Sequence, residues 1–322
     1  MAPSLRARAT SVITLLVLWF GSACANSGSL PGLENGRFQA PVDGRTIEYE
    51  VHGKGPVVMT VPNSWGLSLE GLRAMYRPLE EELTIVYFNP RGMGASGPVQ
   101  EERDLGPDAV REDFHALRKH LGLDKVTAIG WSNGAANLIV LAAESPGAIE
   151  NAVFLHGNAS LLPEDVKRIV DGYPDLMAAF QKFGEEMKDS ALTEEDRNLR
   201  VKAFDTEVWF PFLFAVRDSA KPKLAELFRD ARFSWAHAEY TNRVWASPDF
   251  RDRLPRITAR SLVVAGRHDM LPPERVREIA DGIEGAEFVV FEESGHFAPV
   301  EEPEKFVTTV VAFLRKPRQE TP

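Results

Sequence analysis

Apolar positions recur along this chain on two periods, and the switch between them marks out its elements. Residues 38–42 and 46–51 flank Asp43-Gly44, a pair suited to the two-residue turn of a β-hairpin. Residues 57–61 and 83–88 are short apolar runs, the second rich in β-branched and aromatic side chains, which predicts buried strands. Val110, Phe114, Leu117 and Leu121 then fall at helical spacing and give one apolar face. Further strands are predicted over 126–129, 152–155, 262–265 and 288–291, and helices over 135–144 and 304–314.

Strands alternating with helices imply an α/β fold with a mostly parallel central sheet covered on both faces. Ligands in such sheets sit beyond the carboxyl ends of the strands, so polar chemistry is expected there. The alternation fails between residues 161 and 255, which hold helical stretches near 163–170 and 221–228 and many aromatic residues, Trp209, Phe210, Phe233 and Trp245 among them. This segment reads as an inserted helical cap over the sheet. The core is expected over 36–160 and 256–322.

Composition changes the picture little except at the amino terminus. With 44% hydrophobic and 26% charged residues the chain is globular rather than disordered. A formal net charge of −10 disfavours nucleic acid as a partner. Arg6 and Arg8 precede an apolar stretch over 12–20, too short to span a bilayer comfortably, and small residues follow from Gly21 to Ala25. This is the order of a secretory signal over 1–25, so the protein is expected to be exported, secreted or periplasmic. Ala23-Cys24-Ala25 fits cleavage before Asn26. Ser22-Ala23-Cys24 also resembles a bacterial lipoprotein signal, which would make Cys24 a lipid tether to the membrane, and an uncleaved anchor is the third reading. Residues 26–35 form a flexible linker. Cys24 is the only cysteine, so cleavage before Asn26 leaves neither a disulfide nor a cysteine metal site.

The chemistry gathers at the expected strand ends. Gly130-Trp131-Ser132-Asn133-Gly134 runs from a strand straight into a helix, the G-x-S-x-G pattern of a nucleophile elbow. The sharp turn lifts the Ser132 hydroxyl above the sheet, and the glycines let strand and helix backbones approach. Serine needs a base. Of seven histidines, His296 follows the last strand and precedes the last helix. His115 and His120 lie on the amphipathic helix, His52 beside turn glycines, His237 in the insertion, and His156, after a strand, is placed to approach the site but reads as structural. Asp269 follows strand 262–265 and is placed to hold the imidazole, although Asp is also a common turn residue; Asp281, Glu292 and Glu293 are weaker candidates. Backbone N–H groups of Asn133 and of Ser64, in the loop after 57–61, are assigned to the oxyanion hole, with Trp65 and Trp131 as oxyanion or pocket residues.

These motifs resemble the α/β-hydrolase superfamily over nearly everything after the linker. Asn89-Pro90-Arg91-Gly92-Met93-Gly94-Ala95-Ser96 adds to the likeness, being similar to a D-x-R-G-x-G-x-S turn with Asn89 in place of the usual Asp. Residues 57–97 resemble the proline iminopeptidase branch. There the oxyanion loop usually reads H-G-G-P-G and the elbow G-G-S-W-G, whereas here the loop reads Pro62-Asn63-Ser64-Trp65-Gly66 and the elbow carries Trp131 and Asn133. The resemblance implies the α/β-hydrolase fold and a catalytic triad of Ser132, Asp269 and His296. It implies hydrolysis of a small ester or amide, the substrate a small molecule or short peptide, through an acyl-serine intermediate, with no metal or organic cofactor. Carboxylesterase and aminopeptidase stay open, as do a thioesterase, a cofactor-free haloperoxidase-like perhydrolase and a binding module that has lost its chemistry. Epoxide hydrolases and haloalkane dehalogenases use an Asp at the elbow, where this chain has Ser132. The insertion matches the family's cap, whose Glu185, Glu186, Glu194 and Glu195 either attract a substrate amine or form solvated helix faces.

Overall fold

The computed structural model describes residues 33–245 and 248–317. The expectations for the signal at 1–25, for lipidation of Cys24 and for most of the linker lie outside the described residues. Among the described residues, no helix is long and apolar enough to cross a membrane.

Eight strands form one sheet: β1 (Gly36–Val42), β2 (Arg45–Gly53), β3 (Val57–Val61), β4 (Thr84–Phe88), β5 (Val126–Trp131), β6 (Ile149–Leu155), β7 (Arg260–Gly266) and β8 (Glu287–Phe291), in the spatial order β1-β2-β4-β3-β5-β6-β7-β8. β1, β2 and β4 pair antiparallel and the remaining pairs are parallel. Asp43 and Gly44 take φ of 49° and 76°, the left-handed pair a tight hairpin turn requires, which is why Asp-Gly stands there.

The helices in chain order are α1 (Leu69–Tyr76), α2 (Pro107–His120), α3 (Asn133–Glu144), α4 (Pro163–Gly172), α5 (Pro174–Glu186), α6 (Glu194–Phe204), α7 (Arg217–Leu227), α8 (Trp235–Val244), α9 (Pro273–Gly282), α10 (Ala298–Glu301) and α11 (Pro303–Arg315). Successive residues of each central strand face opposite sides of the sheet. Val86, Ala128, Phe154 and Val263 enter the core under α2, α3 and α9. Ile85, Ile129, Val153 and Val264 enter the core under α1 and α11. Burial on both faces explains why these strands read as continuous apolar runs.

Helices α4 to α8 occupy the excursion between β6 and β7. The cap's Phe210, Leu224 and Phe228 join the same core as α1 and α11, so the cap is packed onto the sheet rather than tethered beside it. Polar ties reinforce this. Thr241 Oγ1 donates to Ser64 O at 2.6 Å, and Ser68 N donates to Arg232 O at 3.0 Å.

Candidate active site

The end of β5 turns sharply. Ser132 has φ 55° and ψ −122° and opens α3 directly. Such a backbone costs about 1–3 kcal/mol and persists only where its surroundings enforce it. Here Ser132 N donates to Leu155 O at 2.8 Å, and a Cβ on Gly130 would lie 2.4 Å from Gly134 O, so only glycine permits the approach. A Cβ on Gly134 would meet Val61 O at 2.5 Å, which ties the same glycine to the neighbouring strand. The Ser132 hydroxyl is partly exposed, lines a cavity under the cap, and makes no hydrogen bond among the described residues.

Asp269 and His296 arrive from the loops after β7 and β8. His296 Nδ1 lies 2.7 Å from Asp269 Oδ2, and Leu271 N donates to Oδ1 at 3.1 Å. A carboxylate only accepts, so Nδ1 carries the proton and Nε2 remains the basic nitrogen. Burial by itself would push the Asp269 carboxyl up; the charge and hydrogen bond of His296, with His156 close by, outweigh it and hold it well below the usual range. The His296 loop is clamped on three sides. His296 N donates to Leu213 O of the cap at 2.7 Å, and Trp131 Nε1 donates to His296 O at 2.8 Å. Glu301 Oε2 accepts from Gly295 N at 2.9 Å while Oε1 accepts from Ala215 N of the cap at 2.8 Å. Burial raises the Glu301 carboxyl although these N–H donors pull it down.

One expectation is corrected and another narrowed. Ser64 N, assigned to the oxyanion hole, instead donates to Asn133 Oδ1 at 2.7 Å, and Ser64 Oγ donates to the same oxygen at 2.7 Å. Ser64 is fully buried and does not line the cavity; Trp65, its neighbour, does. Trp131 lines the cavity, as its pocket assignment has it, but its indole N–H is spent on His296 O and is not free for an oxyanion; its ring packs 5.2 Å from the His296 ring. The Asn133 backbone N–H belongs to the first turn of α3, where helix N–H groups have no intrahelical acceptor.

His156, read from sequence as a structural residue near the site, stands next to Asp269. It follows β6, is fully buried, and brings Nδ1 to 3.4 Å from Asp269 Oδ2. Burial lowers its pKa below the ordinary value, opposed by Asp269. His156, Asp269 and His296 also place donor atoms within 4.8 Å of one another, the spacing a metal ion needs, but His296 Nδ1 is already engaged by Asp269. His115, His120 and His268 are remote in role: His115 Nε2 meets Ser145 Oγ at 3.0 Å, and His120 and His268 are exposed. Asp281 is exposed and Glu292 pairs with Arg267 at the surface.

The cavity holds about 220 Å³, with Ser132, Asn133, Asp269 and His296 at its floor and Trp65, Trp209, Phe210, Phe233 and Trp245 among its apolar walls. Trp65 and Trp209 pack with ring centres 5.1 Å apart. Of the four cap acids considered from sequence, none enters it: Glu185, Glu186, Glu194 and Glu195 are exposed, the first two beside Lys188 and Lys182. The acid that does is Asp205, in a π-helical turn over Asp205–Trp209. It has no side-chain hydrogen bond or ion pair among the described residues, its open surface lines the cavity, and burial pushes its carboxyl well above the usual range. The available signal was two acids, Asp205 and Glu207, set between apolar Phe204 and the 208–214 run, of which Glu207 is exposed.

The N-P-R-G-x-G-x-S turn supports the floor from outside. Asn89 Oδ1 accepts from Leu69 N at 2.8 Å, and its Nδ2 donates to Glu48 Oε2 at 2.7 Å. Glu48 Oε2 also accepts from Ala95 N at 2.7 Å, so β2 supplies the carboxylate that Asn89 lacks. Arg91 is buried against Asp104, Glu112 and Asp113; burial would lower its pKa, but these carboxylates hold it above the ordinary value.

A sequence profile of the alpha/beta hydrolase fold matches residues 61–303. The chain is 23% identical over 284 residues to the proline iminopeptidase of Heyndrickxia coagulans, covering 83% of this chain and 93% of that one. It is 23% identical over 277 residues to the N-formylmaleamate deformylase of Pseudomonas putida, covering 82% and 91%. An alpha/beta fold family hydrolase from Bacillus anthracis superposes with a TM-score of 0.69 at 20% identity, covering 86% of this chain and 99% of that structure.

Proposed function

On the premise that this chain belongs to the alpha/beta hydrolase fold family and is hydrolytic, we propose that it is an exported serine hydrolase cleaving a small ester or amide through an acyl-serine intermediate. The observation that carries the reading is the strained Ser132 lining the same cavity as a His296 already hydrogen-bonded to a buried Asp269. Ser132 Oγ attacks the carbonyl carbon and His296 Nε2 takes its proton. The oxyanion meets the N–H groups of Asn133 and Trp65, each such donor contributing about 3 kcal/mol. His296 returns the proton to the leaving oxygen or nitrogen, water then attacks the acyl-serine by the same route, and the acid departs. Asp269 stabilises the imidazolium without taking the proton. Export rests on the sequence pattern of residues 1–25 alone.

A fluorophosphonate probe tests the proposal. Wild type is expected to label, and folded Ser132→Ala and His296→Ala variants are expected not to. Persistent labelling of the serine variant, or no labelling of folded wild type, overturns the reading.

Asp205 favours a second reading within the same chemistry, an aminopeptidase. An unpartnered carboxyl in an apolar cavity is relieved by a cation, and a substrate ammonium group is such a cation. The Asp205→Asn variant is expected to raise KM for a prolyl arylamide about tenfold, a loss near 1.4 kcal/mol, and to leave a neutral p-nitrophenyl ester unchanged. Equal effects on both substrates remove this reading.

A further inference from the structure

Among the described residues, three non-glycine residues have positive φ: Asp43 in the hairpin turn, Ser132, and His156 at 50°. The last two sit at the ends of neighbouring strands β5 and β6, so strain is concentrated where the chemistry is. His156 shares with Ser132 an enforced backbone, its N donating to Val264 O at 2.9 Å. Its imidazole is fully buried, and neither ring nitrogen has a partner at hydrogen-bond geometry. A side chain kept only to fill space would be apolar there, since burying an unpaired polar group is unfavourable.

What the ring faces is specific. Its Nδ1 lies 3.4 Å from Asp269 Oδ2, the same oxygen that His296 engages at 2.7 Å, and the two imidazole rings are 5.3 Å apart. We infer that His156 is a positioning residue: its Nδ1–H holds Asp269 Oδ2 from the β6 side, so that the carboxylate stays aimed at His296 as the imidazolium forms.

Three points support this. The oxygen only accepts, so the nitrogen turned towards it is the protonated one in neutral His156. Asp269 Oδ1 is fixed by Leu271 N, whereas Oδ2 has no backbone donor and only the two imidazoles can set its direction. The contact is longer than an ordinary N–H···O bond, and catalytic hydrogen bonds that are long in the free enzyme shorten as charge develops. His156 itself does not line the cavity, so it acts through Asp269 and not on substrate.

The inference rests on the serine-hydrolase reading, and its test separates the two. In His156→Leu, kcat for an ester and the rate of fluorophosphonate labelling are expected to fall about tenfold or more, part of the 10²–10⁴ that general-base catalysis contributes, while KM stays unchanged. His156→Asn places an amide donor near the position of Nδ1 and is expected to restore most of the rate. His156→Gln, whose donor falls near Nε2, is expected not to. Leucine as fast as wild type overturns the inference, and so do asparagine and glutamine variants equally slow with melting temperatures kept. Should the leucine variant not fold, the asparagine–glutamine comparison decides alone. Loss of the parent reading shows elsewhere, in an unlabelled wild type or a labelled Ser132→Ala.

Discussion

Two of the places where this chain leaves the family's usual wording touch each other. Ser64 stands in the altered oxyanion loop and Asn133 in the altered elbow, and the Asn133 carboxamide oxygen takes both the N–H and the hydroxyl of Ser64. A backbone N–H can only donate, so the amide orientation is fixed by its partner. The pair therefore locks the loop bearing Trp65 to the turn bearing Ser132. In Asn133→Ala the buried Ser64 N–H loses its acceptor, which costs about 1–3 kcal/mol of stability. The Trp65 N–H also loses its fixed position, and labelling is expected to slow by about tenfold, less than the 10²–10³ for outright loss of one oxyanion donor. Thermal melting and labelling kinetics on one preparation check both; an unchanged rate would mean that the loop holds its shape without the contact. None of this pairing was readable from the chain, because the two residues are 69 positions apart and nothing in either motif names the other.

Among the elements, α8 has a task its sequence did not advertise. His237 is buried, its Nε2 lies 2.9 Å from Arg91 O and its Nδ1 2.7 Å from Ser234 Oγ. The carbonyl only accepts, so Nε2 holds the proton, and Nδ1 accepts from the serine hydroxyl. Cap and core are thus tied through a neutral imidazole. Burial pushes the His237 pKa from its ordinary 6.5 to about 4, against the bond to Arg91 O, which raises it. The unfolded chain therefore binds the proton first as pH falls. The stabilising contribution is complete above pH 6.5, declines from there to about pH 4, and totals on the order of 3 kcal/mol. Denaturant melts at stepped pH are expected to show a flatter profile across that window in His237→Gln than in wild type; parallel profiles would exclude the imidazole as the source. Strand positions were legible from their apolar runs, as was the helix after Ser132. Helices α1 and α9 were not: eight and ten residues give too short a stretch for a 3.6-residue period to declare itself.

For the molecule as a whole, the sequence by itself determined the α/β alternation, the hairpin, the elbow and the order Ser132, Asp269, His296. The first three depend on local constraints: residue period, turn chemistry, and glycines where an added Cβ would lie 2.4 or 2.5 Å from a backbone oxygen; the triad order follows the family resemblance. It also marked residues 161–255 as an insertion, since strand patterns stop there. Tertiary structure alone decided which groups share the space above the sheet. It turned the Ser64 N–H away from the cavity, spent the Trp131 indole on His296 O, set Glu48 beside Asn89, and put Asp205 rather than the exposed cap glutamates against the apolar wall. It also carried His156 to the Asp269 oxygen from a neighbouring strand. The physical reason is common to all of these. A hydrogen bond or a buried charge depends on distances of a few ångströms between residues far apart in the chain, and strand order in the sheet, which sets those distances, is not encoded in any local period.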